Sequence, residues 1–181
     1  MRSTKRLAIA ALALLTSLAC ADAGSFTSDF NSGPPSGATL QDSAVVANDG
    51  GIDNSGCLKL IDEFTSGTGG VVLDDLDGGT AIVSFTATFK ALIGSIGNGA
   101  DGLSFNLAAD LPSSGLNEEG GGTGLTVSFD TYANTVGEAP SIDVKVGGTQ
   151  VASAFFPGLR PGRYVDVRVQ LKPDNTLTVV Y

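Results

Sequence analysis

The chain contains no histidine, and its 181 residues include only 2 cysteines, 1 methionine and 10 lysines and arginines against 19 aspartates and glutamates. Without histidine there is no Ser-His-Asp or Cys-His machinery and no imidazole to hold a transition metal. Cys20 falls in an apolar leader and Cys57 sits alone within Gly56-Cys57-Leu58-Lys59-Leu60, so no disulfide framework is expected. Cys57 reads as a small core residue rather than a reactive thiol. A formal net charge of −9 repels phosphate backbones, which excludes nucleic acid as a partner. Beyond the leader no segment has a 3.6-residue apolar period, and there is neither an internal repeat nor a low-complexity linker. A chain of this kind must hold itself together by burying a core, with bound metal as the other available stabiliser.

The leader itself is an address. Arg2, Lys5 and Arg6 form a basic start, Leu7 to Ala19 is apolar, and Ala21-Asp22-Ala23 supplies a small-x-small cleavage site, the layout of a signal peptide over residues 1–23. The apolar run is shorter than the about 20 residues that a membrane span needs, so no transmembrane segment is expected after its removal. The mature domain, 24–181, is expected to be secreted. Leu18-Ala19-Cys20 offers a second reading, a lipid anchor through Cys20, although Ser17 stands where leucine is usual.

What remains alternates with period two. Ala81, Val83, Phe85, Ala87 and Phe89 share one side of a predicted strand; Val165, Val167, Val169 and Leu171 oppose Asp166, Arg168 and Gln170; Leu177, Val179 and Tyr181 continue the habit. Breaks at Asn48 to Gly51, Asp77 to Gly79, Gly97 to Gly99, Gly147-Gly148 and Pro173 to Asn175 separate these runs, and Asn31 to Gly37 reads as a surface loop. Regular short strands without helices predict an all-β, antiparallel β-sandwich or jelly roll built on one core.

In Leu125 to Asp130, Leu125, Val127 and Phe129 point one way and Thr126, Ser128 and Asp130 the other, which predicts that Asp130 lies on an outward, ligand-facing surface. The run Gly120-Gly121-Gly122-Thr123-Gly124-Leu125-Thr126-Val127-Ser128-Phe129-Asp130-Thr131-Tyr132-Ala133-Asn134, preceded by Ala100-Asp101-Gly102-Leu103-Ser104-Phe105, resembles the sugar- and calcium-binding core of the legume-type lectins in the concanavalin A-like lectin/glucanase superfamily. The resemblance covers roughly 99–146 and implies a concanavalin A-like jelly roll that binds a glycan or polysaccharide without catalysis. It implies that Asp101 accepts bonds from sugar hydroxyls, that the backbone at Gly121 or Gly122 donates one, that Asn134 donates its amide and that Tyr132 offers an aromatic face. It further implies a cis peptide at Ala100-Asp101, enforced by calcium on Asp130, the Tyr132 carbonyl, Asn134 and Glu138. The family's second, transition-metal site needs a glutamate where Ser128 stands and a histidine this chain lacks, so no transition metal is expected. Domains of that family are longer and return further strands after the point where Tyr181 lies, so the expected domain is either compact or C-terminally incomplete. The plainer alternatives are that Asp130 and Asn134 cap a turn, that Asp101 braces a loop and that Tyr132 packs.

Hydrolysis is not expected. Retaining glycosidases need two carboxylates about 5 Å apart, and glucanases of the superfamily mount them as Glu-x-Asp-x-Glu. The matching Ser141-Ile142-Asp143-Val144-Lys145 has lost both glutamates, and Glu118-Glu119 read as loop charges pointing opposite ways. Asp74-Asp75-Leu76-Asp77-Gly78 lacks EF-hand spacing and reads as a turn. Phe155-Phe156 and Arg160 to Arg163 offer either an aromatic and basic loop for an anionic glycan or, as the preferred reading, aromatics packed on the sandwich end. The competing role for the whole domain is a structural or adhesive sandwich that binds no sugar.

Overall fold

A computed structural model describes residues 24–62, 66–94 and 100–181. The leader, with Cys20, and the expected turn at Gly97 to Gly99 lie outside the described residues. Within them the chain is all-β, with antiparallel pairing throughout. No helix among the described residues is long and apolar enough to cross a membrane.

Four short strands come first: β1 (Ala38–Asp42), β2 (Val45–Ala47), β3 (Cys57–Lys59) and β4 (Gly69–Leu73), pairing as β1-β4 and β2-β3. β5 (Phe85–Ala91) then joins β10 (Val165–Leu171) and β11 (Leu177–Val180) in a three-stranded sheet ordered β11-β10-β5. Between them β6 (Gly102–Leu107), β7 (Leu125–Asp130), β8 (Ser141–Val146) and β9 (Thr149–Phe155) form a four-stranded meander. The alternation of Val165 to Leu171 therefore describes a real strand. Ala81 and Val83 do not extend β5, however; Val83 is 68% exposed because the strand starts only where β10 supplies a partner, at the Phe85–Leu171 pair. Asp74 to Gly78 is a turn, as its spacing suggested: the Asp75 carboxylate accepts the Asp77 and Gly79 N–H groups at 2.9 and 2.5 Å.

The two larger sheets meet face to face in a sandwich-like arrangement. Val127 and Phe129 of β7, Val167 and Val169 of β10, Ala91, Ile93 and Leu159 form one buried cluster, with Phe85, Phe89, Leu103, Phe105, Ile142 and Val179 packed around it. Phe85 stacks on Phe105 across the layers at 5.6 Å. At the other end Tyr181 lies 5.5 Å from Phe129, with its hydroxyl donating to the Leu159 carbonyl at 2.6 Å. The β8–β9 hairpin turns through Gly147 and Gly148, both at positive φ (58° and 74°), the combination that a two-residue turn needs to match strand twist.

Phe129 is completely buried and Val151 on β9 is 61% exposed, which separates core from edge in a measurable way. Phe129→Ala should lower stability by about 3–5 kcal/mol, whereas Val151→Ala should stay within about 0.5 kcal/mol. Urea unfolding of the two variants checks this, through a displaced midpoint in the first case only.

Candidate functional site

Strand register builds the site. Gly102 pairs with Asp130, Asp130 with Ser141, and Ser141 with Phe155, so one row crosses all four strands at one rim of the sheet. The start of β6, the 131–140 connection and the end of β9 are thereby gathered at that rim. The Ala100–Asp101 peptide is cis, as the resemblance implies, and the Asp101 carbonyl accepts both the N–H and the hydroxyl of Thr131 at 2.8 and 3.0 Å. Gly102 has φ 148°, and a Cβ there would meet the Phe129 carbonyl at 2.2 Å, so only glycine lets the chain enter β6 directly after Asp101. Asp101, Tyr132 and Asn134 are all exposed, Tyr132 to 49%. Arg160 reaches the same loop, donating to the Thr131 hydroxyl at 2.5 Å.

The glycine run is placed differently from the expectation. Gly121 donates its N–H to Asn106 Oδ1 at 3.1 Å, and that oxygen also accepts the Thr126 hydroxyl at 2.9 Å. Asn106 pairs with Thr126, four residues along the ladder from Gly102 and Asp130, or about 13 Å at strand rise. A Cβ on Gly120 would lie 2.4 Å from both Asn106 and Thr126, and one on Gly122 would lie 2.7 Å from that of Ala108. Gly120 is a glycine because the loop lies flat on β6 and β7 there, Gly122 because it passes close to the chain leaving β6, and neither Gly121 nor Gly122 is brought to the rim with Asp101 and Asn134.

The polar face of β7 is also not outward. Thr126, Ser128 and Asp130 are as buried as Val127 and Phe129, with Asp130 at 2% exposure. The cover is the 112–122 loop, which folds back so that Ser104 and Ser128, directly opposed in register, donate to the Asn117 and Glu118 carbonyls at 2.5 Å each. This brings in a residue that strand reasoning missed. Glu119, Asp130 and Glu138 each offer a carboxylate oxygen within 4.8 Å of the others. The paired serines were the available signal, since two short hydroxyls on one polar face leave room for a chain above them.

Electrostatics follow from this crowding. Burial pushes the Asp130 carboxyl above its ordinary value; the Tyr132 N–H, donating at 2.9 Å, pulls it back, and Glu119, Glu138 and Asp143 push it up again. Glu118 is raised as well, first by burial and then by Asp101, Glu119 and Asp130. Lys145 pairs with Glu119. Glu138 braces its own turn by accepting the Thr135 N–H at 2.7 Å. Asp143, 7% exposed, accepts the Ser141 hydroxyl at 2.6 Å through Oδ2, while its buried Oδ1 has no hydrogen-bond partner among the described residues. An all-oxygen donor set on separate segments, short of counter-charge, is what a hard cation such as calcium requires.

Raised carboxyl groups have a sign that can be tested. Asp130 and Glu118 bind a proton more tightly folded than unfolded, so without divalent cation the protein should gain stability as pH falls toward the ordinary carboxylate range and lose it as pH rises above the folded values. Melting temperatures recorded in chelator from about pH 7 down to about pH 4 should rise and then level, and Asp130→Asn should flatten the profile; a monotonic fall on acidification would contradict it. Compared with known proteins, the chain matches no family model, and no curated protein matches it.

Proposed function

We propose that this chain is a secreted, non-catalytic carbohydrate-binding module of the concanavalin A-like jelly-roll type, with residues 1–23 removed as a signal peptide and with its rim ordered by calcium. The observation that carries the reading is the convergence, at one rim, of exposed Asp101, Tyr132 and Asn134 with three carboxylates, of which Asp130 is buried, Glu138 half-buried and Glu119 exposed. A sugar needs a few fixed acceptors and donors for its hydroxyls and an apolar surface for its C–H face. Asp101 accepts from hydroxyls, the Asn134 amide donates, and the Tyr132 ring covers the C–H face. Calcium would be held by Asp130, the Tyr132 carbonyl, Asn134 and Glu138, joined by Glu119. It would supply the positive charge that this cluster lacks and stiffen the 131–140 loop, which lowers the ordering cost of binding.

Three carboxylates within 4.8 Å invite comparison with the about 5 Å spacing of retaining glycosidases. Asp130 is sealed at 2% exposure, so no glycosidic bond reaches it, and Ser141 and Lys145 stand where the superfamily's hydrolases carry glutamates. Binding without turnover is the reading these residues support.

The test is a glycan array read in calcium and in chelator. Saturable binding should weaken at least about tenfold in Asp101→Ala, the scale expected for losing hydrogen bonds to a charged acceptor. Calorimetry should register calcium binding that weakens about tenfold in Glu119→Gln, the equivalent of one charged ligand. Absence of sugar binding at every calcium level would instead leave a structural sandwich.

A further inference from the structure

The rim row ends on an aromatic side chain that neither the core nor the acidic cluster uses. Phe155 and Phe156 are consecutive and project to opposite sides of the chain. Phe156, 36% exposed, packs one side of its ring edge-on against Tyr181 at 5.7 Å, and its N–H donates to the Pro140 carbonyl at 2.8 Å. Phe155 pairs with Ser141, shares the face that bears Asp130 and Asp143, and is 69% exposed. Its position is fixed from both sides, by the β8 ladder before it and by the anchored Phe156 after it. An open phenyl ring on a fixed backbone contributes little to folding, and an aromatic side chain with only two rotatable bonds loses little entropy when something packs on it.

The distance across the row indicates what that partner is. From Gly102 through Asp130 and Ser141 to Phe155 there are three strand spacings, about 14 Å. Asp101 stands at one end, Phe155 at the other, and the loop bearing Tyr132 and Asn134 rises between them. A single pyranose ring is too short to touch both ends. The stretch from Val146 to Leu159 carries no charged residue, so the ring itself suits the neutral C–H face of a sugar.

Resting on the carbohydrate reading above, we propose that Phe155 is the stacking platform of a second subsite and that the partner is an oligosaccharide or polysaccharide chain spanning the rim from Asp101 to Phe155. The experiment uses the mature protein in calcium and an array of glucose, mannose and galactose with their short linear oligomers, followed by titration of the series that binds. The oligomer should bind about tenfold more tightly than its own monosaccharide. Phe155→Ala should remove that gain while leaving monosaccharide affinity and the unfolding midpoint unchanged, and Phe155→Trp should retain it. If the wild type binds oligomer and monomer equally, or if Phe155→Ala keeps the gain, the second subsite is overturned while the Asp101-centred reading stands. If the wild type binds no sugar in calcium, both fall together.

Discussion

Asp130 sits at the end of β7 with Glu119 and Glu138 converging on it and Asp143 nearby on the same face, and it is almost wholly removed from water. Two full charges about 5 Å apart repel by about 3 kcal/mol at an effective dielectric near 20. A single hydrogen bond to a charged group, here from the Tyr132 N–H, contributes about 1.5–3 kcal/mol. With two or three like charges in range the repulsion wins, and Lys145 offsets only part of it through Glu119. A proton or a hard cation would balance the cluster, so the charge state of Asp130 is tied to the packing of the segments that bury it. Asp101, Tyr132 and Asn134 lie close to it, because all three are carried by segments that meet at Asp130 or at its neighbour Thr131.

The same strand shows why a buried polar face is tolerable. β7 has an apolar side facing β10 and a hydroxyl and carboxylate side facing a loop, and both are dry. The hydroxyls find partners in the loop's own carbonyls and in Asn106, so their burial leaves few unsatisfied groups. On the neighbouring strand Asp143 Oδ1 is one such group, close enough to Asp130 to push its carboxyl up.

Much of the β architecture was legible in the sequence, because period-two alternation is a direct consequence of pleat geometry; β7 and β10 fall on the residues that the pattern marks. What the pattern misjudged depends on contacts distant in sequence. Ala81 and Val83 alternate correctly but have no neighbouring strand. Asp130 shares a face with Thr126 and Ser128, yet alternation distinguishes only two sides of a strand and does not say which is covered. Gly121 and Gly122 read as a ligand-binding loop because close backbone approach demands glycine; the demand is real, but the approaching groups are the protein's own Pro112 and Leu116 at Gly121 and Ala108 and Asp110 at Gly122. Phe155 and Phe156 look alike in the sequence, and only their alternate projection separates the ring that packs on Tyr181 from the more open one.

The place of Glu119 follows from the same fold-back. Ser104 and Ser128 are short enough for residues 117–120 to lie on the sheet, and a longer side chain at Ser128 would occupy the space that the Glu118 carbonyl now takes. The carboxylate that reaches the cluster past Ser128 thus comes from the loop and not from the strand. The two are not equivalent. A strand residue is fixed by its ladder, whereas Glu119 is exposed, carries glycine on its C-terminal side and has Lys145 as a second partner. The loop can thus supply its charge to the cluster or have it held by the lysine. The geometry of the 112–122 cover and the charge state of the rim are consequently linked through one side chain.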